Sequence, residues 1–290
     1  MKRLLALLML ILAISTPVCA GELVIGLIPE LNVFKQMERY KPLAAYLSEK
    51  LGVEVRLTML SRYGNIIQSF SEGNMDAAFW GSFTGAMAVE KLGVIPLARP
   101  VALDGTSTYT GLIFVRKDRS INSVAQLKGK SFAFVDRATT AGFLYPLALL
   151  NAEGTVAFTD YFSNHYFTGS HDAAILSVLH GEADGGAAKN TIYKVLAREK
   201  PEIERELKIL CESEPVPSNT LGVRKDLDPH LLNMLREALL NMSNDPDGKR
   251  VLKDFGAVDF IPTTARDYEP VFEMARKARV NLKEYSYVNK

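Results

Sequence analysis

The chain has 290 residues, with 34 basic and 33 acidic side chains, four histidines and two cysteines. So even a balance excludes nucleic acid and an anionic membrane surface as partners, since both demand a basic face, yet it permits a small anion held by local donors. With Cys19 in a leader, Cys211 stands alone, which excludes an intrachain disulfide and a cysteine-based metal site.

The first twenty residues read as a secretory signal peptide. Lys2 and Arg3 precede the apolar run Leu4–Ile14, and Pro17 leads to Val18-Cys19-Ala20 with a cleavage point before Gly21. The run is too short for a bilayer core, which takes about 20 residues. A lipoprotein needs a small residue before its modified cysteine, and Val18 stands there, so the periplasm is expected without a lipid anchor at Cys19 or membrane insertion after cleavage. Residues 21–290 remain, with 32 basic against 33 acidic side chains, enough for two ordinary α/β domains.

From there, short apolar strands alternate with amphipathic helices, the α/β pattern. Leu23–Ile28 is a strand, Gln36–Leu51 a helix closed by Gly52, and Val53–Leu60 a second strand. Ile66–Glu72 reads as helix, Asp76–Trp80 as strand, Gly81–Leu92 as helix and Ile95–Ala102 as extended. The pattern restarts at the strand Tyr109–Arg116. A short helix from Ser123 ends at Gly129, and the strand Ser131–Val135 leads into a helix from about Thr140 to Ala152. His171–His180 and Thr191–Glu199 are helical around the small-residue strand Asp184–Ala188. Leu207–Cys211 and Thr220–Arg224 are strands, and Pro229–Glu284 is mostly helical. Two α/β units joined by extended crossings near 112–116 and 218–224 predict two lobes, 21–112 plus 222–290 and 113–221, facing across a cleft. Ligands in open α/β sheets sit beyond the carboxyl ends of strands, so such lobes bury a ligand between them.

The stretch Ser131–Pro146 is the most informative chemically. Its strand ends in a polar turn, and Thr139 and Thr140 stand where the next helix begins. Unpaired backbone N–H groups and the positive helix end make an anion site there without lysine or arginine. The alternative is an ordinary N-cap, with Thr139 satisfying its own helix. Phosphate loops of nucleotide enzymes and a G-x-S-x-G elbow are absent, and His165, His171, His180 and His230 lack metal-ligand spacing. No metal, cofactor or catalysis is therefore expected. Phe79, Trp80, Tyr63 and Tyr109 recur at predicted strand ends, either as core or as the walls of a small cleft, where Tyr and Trp also donate.

Four segments carry a family resemblance: Pro42–Gly52, Gly73–Ser82, Leu127–Gly142, and Gly169–Ala174 with Gly181–Ala187. Over about residues 22–260 the chain resembles the periplasmic binding proteins of phosphonate, phosphite and phosphate ABC transporters. The resemblance implies a type II periplasmic binding protein fold, two α/β lobes with central mixed sheets and a two-strand hinge. It implies capture of a small phosphorus oxyanion for a membrane ABC permease, without catalysis. The same fold also serves sensors that feed a receptor kinase, and takes other organic or sulfur oxyanions. The family's Ser-Thr-Ser oxyanion run matches Thr139, Thr140 and Ala141, with one hydroxyl lost at Ala141. Its ligand tyrosines match Tyr63 and Tyr109, its cleft histidine His171, and Trp80 falls in the aromatic pair of the third strand. Acidic residues that hold an aminophosphonate's ammonium correspond to Ile192 and Asn219, neither charged, which implies poor binding of 2-aminoethylphosphonate. Asp136 is the nearest acceptor for reading a ligand proton.

Overall fold

The computed structural model describes residues 21–30, 32–152, 154 and 158–286. The expected signal peptide lies outside them. Six strands form the first sheet: β1 (Glu22–Leu27), β2 (Glu54–Met59), β3 (Ala77–Trp80), β4 (Ile95–Ala102), β12 (Thr220–Val223) and β13 (Ala257–Pro262), in the order β13-β4-β12-β3-β1-β2. The second has five: β6 (Gly111–Arg116), β7 (Ser131–Phe134), β8 (Asn164–Phe167), β9 (Gly185–Lys189) and β10 (Leu207–Glu212), in the order β10-β6-β9-β7-β8. A two-stranded ribbon, β5 (Thr108–Tyr109) with β11 (Val216–Pro217), lies where the chain passes between the sheets.

The helices form because their apolar residues recur at helical spacing, and each covers a sheet face. Along β3, Ala77 and Phe79 point into a core closed by α1 (Val33–Leu51), α9 (Pro229–Leu240) and α10 (Pro246–Phe255). Ala78 and Trp80 point the other way, toward α2 (Asn65–Ser71) and α3 (Ser82–Leu92). That face shares one apolar cluster with the facing side of the second sheet, including α4 (Tyr145–Ala152), α5 (Phe158–Tyr161) and α11 (Glu269–Lys277). The outer side of the second sheet packs on α6 (His171–Leu179), α7 (Asn190–Glu199) and α8 (Glu202–Glu206). Here β9 must be made of small residues: a Cβ on Gly186 would lie 2.8 Å from Val178 Cγ2 of α6.

Three features differ from the expectation. The strand β13 lies inside the stretch read as helical, because Ala257 and Phe260 are buried in the core while the segment pairs antiparallel with β4, with a register shift between Ala257 and Asp259. The strand β8 fills a segment that carried no assignment. The expected crossing near 112–116 falls within β6 and that near 218–224 spans β12, while the strands of the ribbon lie just before each. A strand pattern marks its own residues but not the sheet it joins.

Candidate functional site

One buried cavity is walled almost entirely by strand ends and the helix starts that follow them. β1 runs out into Ile28 and Glu30, β3 into Gly81, Ser82 and Phe83, and β7 into Ala138, Thr139 and Thr140. β9 ends in Lys189, His171 opens α6, and Tyr63, Tyr109 and Asn219 complete the lining. The space open to the centre of a water-sized sphere is about 10 Å³, room for roughly one water.

Four helical segments start at this cavity, and none of their N-cap residues, Gly81, Thr139, Ser170 and Lys189, caps with its side chain. Each start brings the partial positive charge of a helix N-terminus to the cavity, although the Phe83 N–H of one and the Asn190 N–H of another already have partners in Thr140 Oγ1 and Thr110 O. Lys189 is the one lysine or arginine in the described lining, and Glu30 beside it balances its charge.

The turn after β7 is wide: Leu144 N donates to Thr139 O at 3.0 Å, a five-residue step. Gly142 permits it, because a Cβ there would lie 2.4 Å from Val135 Cβ. Thr139 does not adopt the N-cap role, since its hydroxyl donates to Asp136 O at 2.7 Å. Thr140 Oγ1 accepts the Phe83 N–H at 2.8 Å across the cleft.

Two buried donors, Tyr63 OH and Asn219 Nδ2, have no hydrogen-bond partner among the described residues. Burial raises the Tyr63 phenol well above its ordinary pKa, aided by the nearby Glu30 charge, so it keeps its proton. The Tyr63 ring meets His171 edge-on at 6.0 Å. His171 Nδ1 accepts the Lys189 backbone N–H at 3.2 Å, which leaves the proton of the neutral ring on Nε2. Burial pushes His171 down to about 3, against the pull of Glu30, so the ring is neutral and donates. Ser82 Oγ donates to Pro217 O at 2.6 Å and lies 2.8 Å from Tyr109 OH, tying α3 to the ribbon.

Lys189 Nζ lies 2.8 Å from Glu30 Oε1 and 3.2 Å from Asn219 Oδ1, and 4.3 Å above the Tyr109 ring centroid. Burial opposes the Glu30 charge, but the ammonium outweighs it and Glu30 titrates below its ordinary value.

Of the residues singled out from the sequence, Tyr63, Tyr109, Thr139, Thr140, His171 and Asn219 meet at this cavity. Trp80 does not line it: its indole N–H donates to Gly222 O at 3.1 Å and its ring packs on Phe70. Ala141 is buried and outside the lining. Ile192 is also misplaced, since it lies in the core behind the second sheet, and the charged side chain at that rim is Lys189. Asp136 faces a separate groove and accepts the Ala138 N–H at 2.8 Å; the carboxylate of the cavity is Glu30. Glu30, Ser82 and Lys189 escaped the sequence reading, because a charged or hydroxyl residue after a strand looks solvated until its partners are known. The separate groove, about 580 Å³ beside Arg62 and Arg137, is larger, but its described lining offers no buried unpartnered donor.

The model of a family described as ABC transporter, phosphonate, periplasmic substrate-binding protein matches residues 25–268. The chain belongs to that family. Within it, the phosphate-import protein PhnD of Mycolicibacterium smegmatis is 27% identical over 263 residues, 84% of this chain and 82% of that one. The phosphonates-binding periplasmic protein of Escherichia coli is 25% identical over 241 residues, 82% of this chain and 71% of that one. The solved structure of PhnD1 from Prochlorococcus marinus in complex with methylphosphonate superposes with a TM-score of 0.78 at 24% identity, covering 89% of this chain and 98% of that one. The shared fold is the two-lobed, type II periplasmic binding protein fold.

Proposed function

We propose that this chain captures a small phosphorus oxyanion, a phosphonate, phosphite or phosphate, in the periplasm and presents it to a membrane ABC permease. The observation that carries the reading is the cavity where uncapped helix starts converge with the orphan donors Tyr63 OH and Asn219 Nδ2. Such a site stabilises negative charge and offers little else. Its titratable groups do not suit proton transfer, since His171 is held neutral, Tyr63 keeps its proton and Glu30 is bound to Lys189. The ribbon of β5 and β11 is the proposed hinge, about which 21–112 with 222–290 moves against 113–221. Hydrogen bonds to a charged ligand contribute about 1.5–3 kcal/mol each. Four or five of them, less the loss on immobilising ligand and lobes, reach the roughly 8 kcal/mol of micromolar binding.

The test is calorimetry of unliganded protein with phosphate, phosphite, methylphosphonate, 2-aminoethylphosphonate and sulfate. Micromolar binding of a phosphorus oxyanion is expected, and silence across the panel would overturn the reading. Tyr63→Phe is the sharpest variant, because the phenol has no hydrogen-bond partner among the described residues. Its affinity should fall about tenfold or more with unchanged folding stability. Thr140→Ala is less clean, as it also strands the Phe83 N–H.

A further inference from the structure

We infer that Lys189 is a built-in counter-cation that selects compact oxyanions and shuts out ligands carrying an amine of their own. The inference rests on the oxyanion reading above and narrows it. A buried ammonium is compensated in full only by a carboxylate, with neutral oxygens or an aromatic face as weaker partners. Glu30 is the one acidic residue in the described lining, and Lys189 already holds it at 2.8 Å. The same ammonium takes Asn219 Oδ1 at 3.2 Å and sits above the Tyr109 ring at 4.3 Å. Glu30 and Lys189 are each only 7% exposed, so water does not relieve either charge.

An entering amine would therefore lack a carboxylate or would take Glu30 from Lys189, and either arrangement buries a cation without a counter-charge from the protein. Lys189 also sets the polarity of the opposite wall. With Oδ1 turned to the ammonium, the Asn219 amide presents Nδ2, one of the two orphan donors. The backbone N–H of Lys189 holds His171 Nδ1, so that Nε2 carries the ring proton. The side chain thus offsets the Glu30 charge, occupies Asn219 Oδ1 and leaves Nδ2 as a donor toward the ligand. A ligand whose substituent is small and uncharged meets all of this favourably.

The experiment is calorimetry of wild type and Lys189→Ala with phosphite, methylphosphonate and 2-aminoethylphosphonate. Wild type should bind methylphosphonate or phosphite at least about tenfold more tightly than the amine-bearing ligand. In Lys189→Ala the order should reverse, because Glu30 is then free to receive the ligand amine, and 2-aminoethylphosphonate should raise the thermal midpoint most. Wild type that binds oxyanions but prefers the aminophosphonate overturns the inference and leaves the oxyanion reading standing. So does a Lys189→Ala variant that keeps the wild-type order. If no ligand of the panel binds wild type, the oxyanion reading itself falls and this inference with it. Should Lys189→Ala fail to fold, the wild-type preference decides alone.

Discussion

Two ion pairs join the lobes at nearly the same distance and do different things. Lys189 meets Glu30 at 2.8 Å with both side chains 9% exposed; Lys35 of α1 meets Glu199 of α7 at 3.0 Å with side chains 62% and 48% exposed. An exposed pair is screened by water and salt and contributes about 0–1 kcal/mol. A buried pair gains little net stability, because desolvation offsets the attraction, yet losing one partner costs about 3–5 kcal/mol. Distance alone does not rank the two contacts. The buried pair acts by dictating which charges a ligand must bring, and the surface pair only rests where the lobes happen to meet.

The largest expected break in this comparison is Glu30→Gln, which leaves Lys189 without its counter-charge. Chemical denaturation should show a loss of about 3–5 kcal/mol, partly recovered in saturating phosphite, where the ligand supplies the missing negative charge. A midpoint equal to wild type would put the buried pair on a par with the surface one.

An intermediate effect is expected from pH at the neighbouring His171. The unfolded ring takes up a proton near pH 6.5, whereas burial delays this to about 3 in the folded chain. Between those values the unfolded state binds more protons, so the contribution of His171 is complete above pH 6.5 and is lost as pH falls from there toward 3. Glu30, also titrating below its ordinary value, adds loss in the same direction at the acid end. His171→Asn keeps an acceptor for the Lys189 N–H and should flatten the upper part of that slope in a series of melts. An unchanged slope would mean that the ring is solvated.

The smallest effect is that of Lys35→Ala, which should cost less than about 1 kcal/mol and leave ligand preference unaltered. A shift in which oxyanion binds best would show that the surface pair reports on the cleft after all.

Much of the fold was legible because strands and helices write their own periodicity. Leu23–Ile28 and Asp76–Trp80 are apolar runs that become β1 and β3, flanked by helices that end at glycines with positive φ, Gly52 and Gly93. The edge strand β13 was not, since a half-buried strand of six residues among helices has the composition of a connector. On the cavity, the paired hydroxyls of Thr139 and Thr140 are visible at a strand end, whereas Trp80 shows its orientation only when its N–H is seen to meet Gly222.

The sequence by itself determined that this is a two-unit α/β chain with paired hydroxyls at 139–140 where a helix follows a strand, because both follow from patterns a few residues long. It also carried the family resemblance that places the remaining tyrosines and the histidine. Only the tertiary structure decided that Lys189 and Glu30, 159 residues apart, share one buried space, and that Asn219 and Tyr63 are left as donors facing into it. Burial is a property of the assembled lobes, and a charge acquires its meaning from what replaces water around it.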